Sequence, residues 1–152
     1  MKTFVILSAF ISLLFFSSAV APSPSTARII KWRDGDTATV FLYHCAETAH
    51  QRWQCGEIGV RIDGINTPEM GGKAKCPKEK NLAEQARSAI EKLAPIGSLV
   101  TLVNVHEGKY AGRILATMLN KDKVDIGGEL LKRGLARSYH GEYRDPYQWC
   151  PQ

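Results

Sequence analysis

After its first two dozen residues the chain has no long apolar run. No later stretch approaches the roughly 20 consecutive apolar residues needed to span a bilayer, which excludes a multi-spanning membrane protein. Cysteine and histidine are scarce, four of each. Cys45, Cys55, Cys76 and Cys150 lack the paired C-x-x-C spacing of zinc ligands. His44, His50, His106 and His140 have no ligand spacing either and read as surface residues. No internal repeat is visible. The formal charge is only +5; a small excess of that kind suits a polyanionic partner, but solubility alone would account for it.

What is present begins with an export segment. Lys2 gives a short positive start, Thr3 to Phe16 carries no charge, and Ala19-Val20-Ala21 has the small-residue pattern of a cleavage site. Residues 1–21 are therefore expected to be a secretory signal peptide, leaving no membrane segment after cleavage. Residues 22–27, "PSPSTA", read as a flexible lead-in, 28–140 as one domain, and 141–152 as a polar, aromatic tail without periodicity. An even number of cysteines in an exported chain argues for two disulfides. Four cysteines allow three pairings, and the sequence does not choose among them. Cys45 and Cys55 flank a polar insert that a local bridge would staple; Cys76 with Cys150 would tie the tail to the start of a helix.

From Arg28 the texture is that of strands. "ARIIKWR" runs into the tight-turn dipeptide Asp34-Gly35, and "DTATVFLY" follows. In "IGVRIDGI" alternation puts Val60 and Ile62 on one face, Arg61 and Asp63 on the other. Pro77 suits the first position of a helix, and Leu82, Ala86, Ala89, Ile90 and Leu93 form its apolar stripe, ending at Pro95. "SLVTLVNV" and "RILATML" are further strands, and a short helix ends near Gly134. About five short strands with glycine turns and two to three helices predict an α+β, mainly β fold. Its architecture would be a five-stranded OB-fold barrel.

Three segments carry chemistry. "RDGDT" at 33–37 offers Asp34 and Asp36; "RIDGINTPE" at 61–69 offers Arg61, Asn66, Thr67 and Glu69; "KYAGR" at 109–113 offers Arg113. Hard cations take oxygen ligands, which Asp36, Asn66 and a backbone carbonyl supply. Two arginines can grip a phosphate and neutralise charge developing on it, and Glu69 can orient or deprotonate a water. Taken singly, each segment has a plainer reading. Asp34-Gly35 is a hairpin turn, Thr-Pro-Glu a turn or helix start, and Arg113 a solvated charge. Asp63, on the strand face of Arg61, is in that reading simply its ion-pair partner.

In combination and order, "DGDT", "RIDGINTPE", "KYAGRILA" and "LLKRGLARSY" make the chain resemble the staphylococcal nuclease (thermonuclease) family over roughly residues 27–140. The pairing of "AKCP" with a terminal "WC" resembles secreted bacterial members with a disulfide there. The export segment leads to the expectation of a secreted or periplasmic bacterial protein, and a monomer is expected; the resemblance implies an OB-fold with calcium-dependent phosphodiesterase activity on DNA and RNA. It implies Asp36 as a Ca2+ ligand and Thr67 as one through its carbonyl, with Glu69 the water-positioning residue or base. Arg61 and Arg113 would hold the scissile phosphate, and Lys109 and Tyr110 would line the nucleotide site. Two departures stand out. Asn66 occupies the place of the family's second metal-ligand aspartate, and "KYAGR" is one residue longer than the family's loop. The loss of charge at Asn66 supports an alternative expectation, a catalytically weak or inactive OB module that binds nucleic acid or another exported partner.

Overall fold

The computed structural model describes residues 23–47, 53–109 and 112–151. The expected signal peptide and Tyr110 lie outside the described residues. Five strands close a barrel in the order β1 (Ser25–Trp32), β2 (Thr37–Glu47), β3 (Trp53–Ile62), β6 (Arg113–Leu119), β5 (Leu99–Glu107). All neighbours are antiparallel except β3 and β6, which run parallel. A short ribbon, β4 (Ile65–Asn66) with β7 (Arg137–Ser138), sits outside the barrel. Two helices, α1 (Pro77–Leu93) after the third strand and α2 (Ile126–Lys132) near the end, complete an OB-fold. No helix among the described residues is long and apolar enough to cross a membrane.

Period-two alternation builds the barrel interior. Ile114, Ala116 and Met118 point inward from β6, Val60 and Ile62 from β3, and Ala27, Ile29 and Trp32 from β1. A bulge between Ile29 and Lys31 shifts the phase of β1 and lets Trp32 face inward. Its indole N–H donates to the Ala94 carbonyl at 2.8 Å, so the barrel floor and the end of α1 are joined by a buried hydrogen bond. On α1 the expected stripe faces the core: Ala86, Ala89 and Ile90 are buried and Leu82 and Leu93 pack beside them. Burying Ile90 alone contributes about 2 kcal/mol.

Two boundaries differ from the sequence expectation. β1 begins at Ser25, inside the stretch read as lead-in, because Ser25, Thr26 and Ala27 pair with Leu102, Thr101 and Val100 to close the barrel. The described ends of the insert between Cys45 and Cys55 extend the β2–β3 hairpin, with Ala46 opposite Gln54 and Glu47 opposite Trp53. Both disulfides form, Cys45–Cys55 across that hairpin and Cys76–Cys150 between the N-cap of α1 and the tail. The second closes a separation of 74 residues. In the chain-entropy account such a closure contributes about 4 kcal/mol by restricting the unfolded chain.

Candidate active site

Asp36 stands at the entrance to β2, and its surroundings follow from the turn before it. The Arg33 N–H donates to the Thr37 carbonyl at 2.8 Å, and the Asp34 carboxylate accepts the Asp36 N–H at 3.1 Å. Asp34 thus shapes the turn. A Cβ at Gly35 would lie 3.0 Å from the side chains of Ala86 and Thr67. Only glycine lets this turn press against α1 and the loop after β4. That close approach sets Asp36 beside Thr67.

The Asp36 carboxylate is buried and accepts three hydrogen bonds. Oδ1 receives the Thr37 hydroxyl and Arg61 Nη1, both at 2.9 Å, and Oδ2 receives the Thr67 N–H at 3.1 Å. Arg61 arrives because the β2–β3 register places it opposite Thr37. Burial pushes the Asp36 pKa from 3.8 to about 6; the Arg61 guanidinium opposes the rise and neighbouring Asp34 adds to it.

Arg61 also donates Nη2 to the Ile65 carbonyl at 3.1 Å and to Asn66 Oδ1 at 3.3 Å, and its guanidinium lies 5.9 Å from the centre of the Tyr139 ring. Asp63 is not its partner. Gly64, at φ +74°, turns the chain out of β3, and Asp63 instead faces His106 at 3.6 Å. The carboxylate is thereby directed away from the guanidinium that strand alternation assigned to it.

Asn66 is buried, held in β4 by pairing with Arg137. Its Oδ1 accepts from Arg61 and, at 2.6 Å, from Arg144 Nη1. Its Nδ2 is buried without a hydrogen-bond partner among the described residues. The amide therefore turns its oxygen toward positive charge and leaves its own donor unsatisfied.

Glu69 is positioned by a second carboxylate. Glu79, buried in the first turn of α1, accepts the Glu69 N–H at 3.1 Å and the Lys75 N–H at 2.6 Å. One side chain thus pins both ends of the 69–75 loop, in a position where the helix dipole favours negative charge. The Glu69 carboxylate itself pairs with Arg144 Nη2 at 2.9 Å.

Arg113 opens β6, and with Lys109 it lines a cleft of about 820 Å³ that also takes in Arg61, Glu69, Tyr139 and Arg144. The structure therefore gathers Asp36, Arg61, Asn66, Thr67 and Glu69 into one cluster and places Arg113 and Lys109 along the same cleft. Sequence reasoning passed over Glu79, Tyr139 and Arg144. A disulfide from "WC" to "AKCP" was the one signal available, because it returns the tail to the loop that carries Glu69.

Among the described residues no three His, Cys, Asp or Glu side chains gather in a way that would hold a metal. A cation here would rest on a different set: the Asp36 carboxylate, the Asn66 amide oxygen and the Thr67 carbonyl. That all-oxygen set fits a hard ion such as calcium. The orientation of Asn66 fits it too, since its oxygen, like the Asp36 carboxylate, already faces guanidinium charge.

The model of the staphylococcal nuclease homologue family matches residues 59–149, more than half of the chain. The matched segment includes Arg61, Asn66, Glu69, Arg113 and Arg144, and starts after the turn that bears Asp36. No curated protein matches the chain.

Proposed function

The chain belongs to the staphylococcal nuclease homologue family, and from that premise we propose that it is a secreted, monomeric, calcium-dependent nuclease hydrolysing phosphodiester bonds in DNA, RNA or both. One observation carries the reading. Asp36, Arg61, Asn66 and Thr67 form a hydrogen-bonded cluster that Arg144 links to Glu69, and Arg61 and Glu69 line a cleft that also bears Lys109 and Arg113.

In this reading Arg61 and Arg113 bind the phosphate oxygens and neutralise the charge that grows on them as the fifth bond to phosphorus forms. Asp36 holds Arg61 through Nη1, and the Ile65 carbonyl and Asn66 Oδ1 hold it through Nη2, which fixes the guanidinium at the wall of the cleft. Glu69 accepts a proton from the attacking water as its oxygen bonds to phosphorus and the P–O bond to the leaving oxygen breaks. Glu79 keeps that carboxylate on a fixed backbone. Lys109 and Tyr110 receive the flanking nucleotide. Asp36, Thr67 and Asn66 would hold calcium, which when bound would supply positive charge beside the phosphate. Two disulfides and the export signal support an oxidising, extracytoplasmic location.

The neutral side chain at Asn66 favours a second reading, a non-catalytic module that binds nucleic acid. It predicts binding that weakens steeply with salt and no turnover at any calcium concentration. The Asn66→Asp variant separates the two. A large gain in calcium-dependent cleavage identifies a live site with weakened metal affinity. Absence of cleavage in both parent and variant, with oligonucleotide binding retained, identifies the module.

A further inference from the structure

Arg144 belongs to none of the motifs that define the site, yet it makes two close polar contacts within it. Its guanidinium donates Nη1 to Asn66 Oδ1 at 2.6 Å and Nη2 to Glu69 Oε1 at 2.9 Å. It reaches Asn66 from 78 residues along the chain. The segment carrying it is anchored on both sides. Before it, β7 pairs with β4, and the Tyr139 N–H donates to the Gly64 carbonyl at 2.9 Å. After it, Trp149 is buried with the Arg137 guanidinium 4.7 Å from its ring centre, and Cys150 is bonded to Cys76. The span between the anchors is exposed, so Arg144 is delivered over the site without being packed into it.

We infer that Arg144 is the resident cation of this site and competes with the divalent cation for Asn66 and Glu69, so that it sets the metal affinity. The inference rests on the calcium-site reading proposed above. Its argument is geometric. A calcium ion sits roughly 2.4 Å from a ligand oxygen. An ion on Asn66 Oδ1 would therefore lie within about 5 Å of the guanidinium nitrogen already bonded to that oxygen, and like charges that close oppose each other. The same guanidinium pairs with Glu69, a further carboxylate whose negative charge it neutralises. An aspartate at position 66 would have charge to share between a guanidinium and an ion, whereas the amide has none. The orientation of Asn66 agrees, since its oxygen is given to the two arginines while Nδ2 is left buried and unpartnered among the described residues. Release of Arg144 is feasible because its side chain is 40% exposed and can be solvated where it lies.

Competition of this kind is a coupling between two cations, and it is reciprocal: whatever removes Arg144 strengthens the ion's binding by the factor that the ion weakens Arg144's hold. The test is calorimetric titration of calcium chloride into the oxidised mature chain, comparing the parent with Arg144→Ala, Arg144→Lys and Asn66→Asp. Arg144→Ala is expected to bind one calcium about tenfold more tightly than the parent, within the usual range for coupled sites. Arg144→Lys, which keeps the charge, should stay closer to the parent. In an Asn66→Asp background the gain from Arg144→Ala should shrink, because the carboxylate supports both cations. One calcium bound with equal or weaker affinity in Arg144→Ala overturns the competition and leaves the calcium site standing. No calcium bound by any of these proteins overturns both the competition and the calcium reading beneath it.

Discussion

Two guanidinium–carboxylate pairs share this site, each closed at 2.9 Å, and the contrast between them organises its chemistry. Arg61–Asp36 is built on barrel strands, with side chains 17% and 3% exposed. Arg144–Glu69 joins a tail to a loop, with side chains 40% and 33% exposed. Burial makes the first pair obligatory, because removing either partner leaves a charge out of water. Solvent makes the second pair exchangeable, since both ends can be hydrated if they part. Equal distances thus serve opposite ends. In the proposed function the inner pair fixes the arginine that would bind phosphate, and the outer one covers the carboxylate that would act on water.

The contrast breaks first at Arg61. Arg61→Ala should lower cleavage by about a thousandfold through loss of transition-state charge neutralisation. It should also lower stability by roughly 3 kcal/mol, because Asp36 is left buried without its cation. Single-turnover cleavage and urea unfolding measure the two effects.

Next comes the pH dependence of the inner pair. With a folded pKa of about 6 against 3.8 for the ordinary group, Asp36 binds a proton in the native state that the unfolded chain has released. Native stability attributable to Asp36 therefore falls as pH rises between about 4 and 6 and is level above that window. Stability curves for the metal-free parent and Asp36→Asn should differ by an amount that declines through this range, in total on the order of 3 kcal/mol. A difference that stays flat, or that grows with pH, contradicts the assignment of burial as the dominant influence.

The smallest effect belongs to the outer pair. Arg144→Ala should change unfolding stability by no more than about 1 kcal/mol, as half-exposed ion pairs do. A loss comparable to that of Arg61→Ala would show that the tail's arginine is structural and erase the distinction between the two pairs.

Legibility in the sequence follows the same division. The barrel was readable because inward positions such as Val60, Ile62, Ile114 and Met118 recur with strand period, and α1 because Pro77 and its stripe mark its start and face. Asp36, Arg61, Asn66, Thr67 and Glu69 stand within short segments whose spacing survives folding nearly unchanged. The start of β1 was missed because Ser and Pro obscure a stretch whose strand character comes from its partner β5. The plainer reading of Asp63 as the partner of Arg61 rests on alternation, a rule that lapses where Gly64 turns the backbone. Arg144, Tyr139 and Glu79 left no local trace. Their positions depend on the β4–β7 pairing, on the Cys76–Cys150 bridge and on a loop clasped from a helix, all of them contacts between segments far apart in sequence or folded against one another by the core.

The most direct test of the account is cleavage of single-stranded DNA by the oxidised mature protein, with calcium titrated from chelator to about 10 mM, beyond the weak range of extracellular calcium sites. The account predicts cleavage that appears with calcium, disappears with chelator, and falls at least a hundredfold in Glu69→Gln while the fold is retained. Folded protein that cleaves nothing across that range, or a Glu69→Gln variant as fast as the parent, would contradict it.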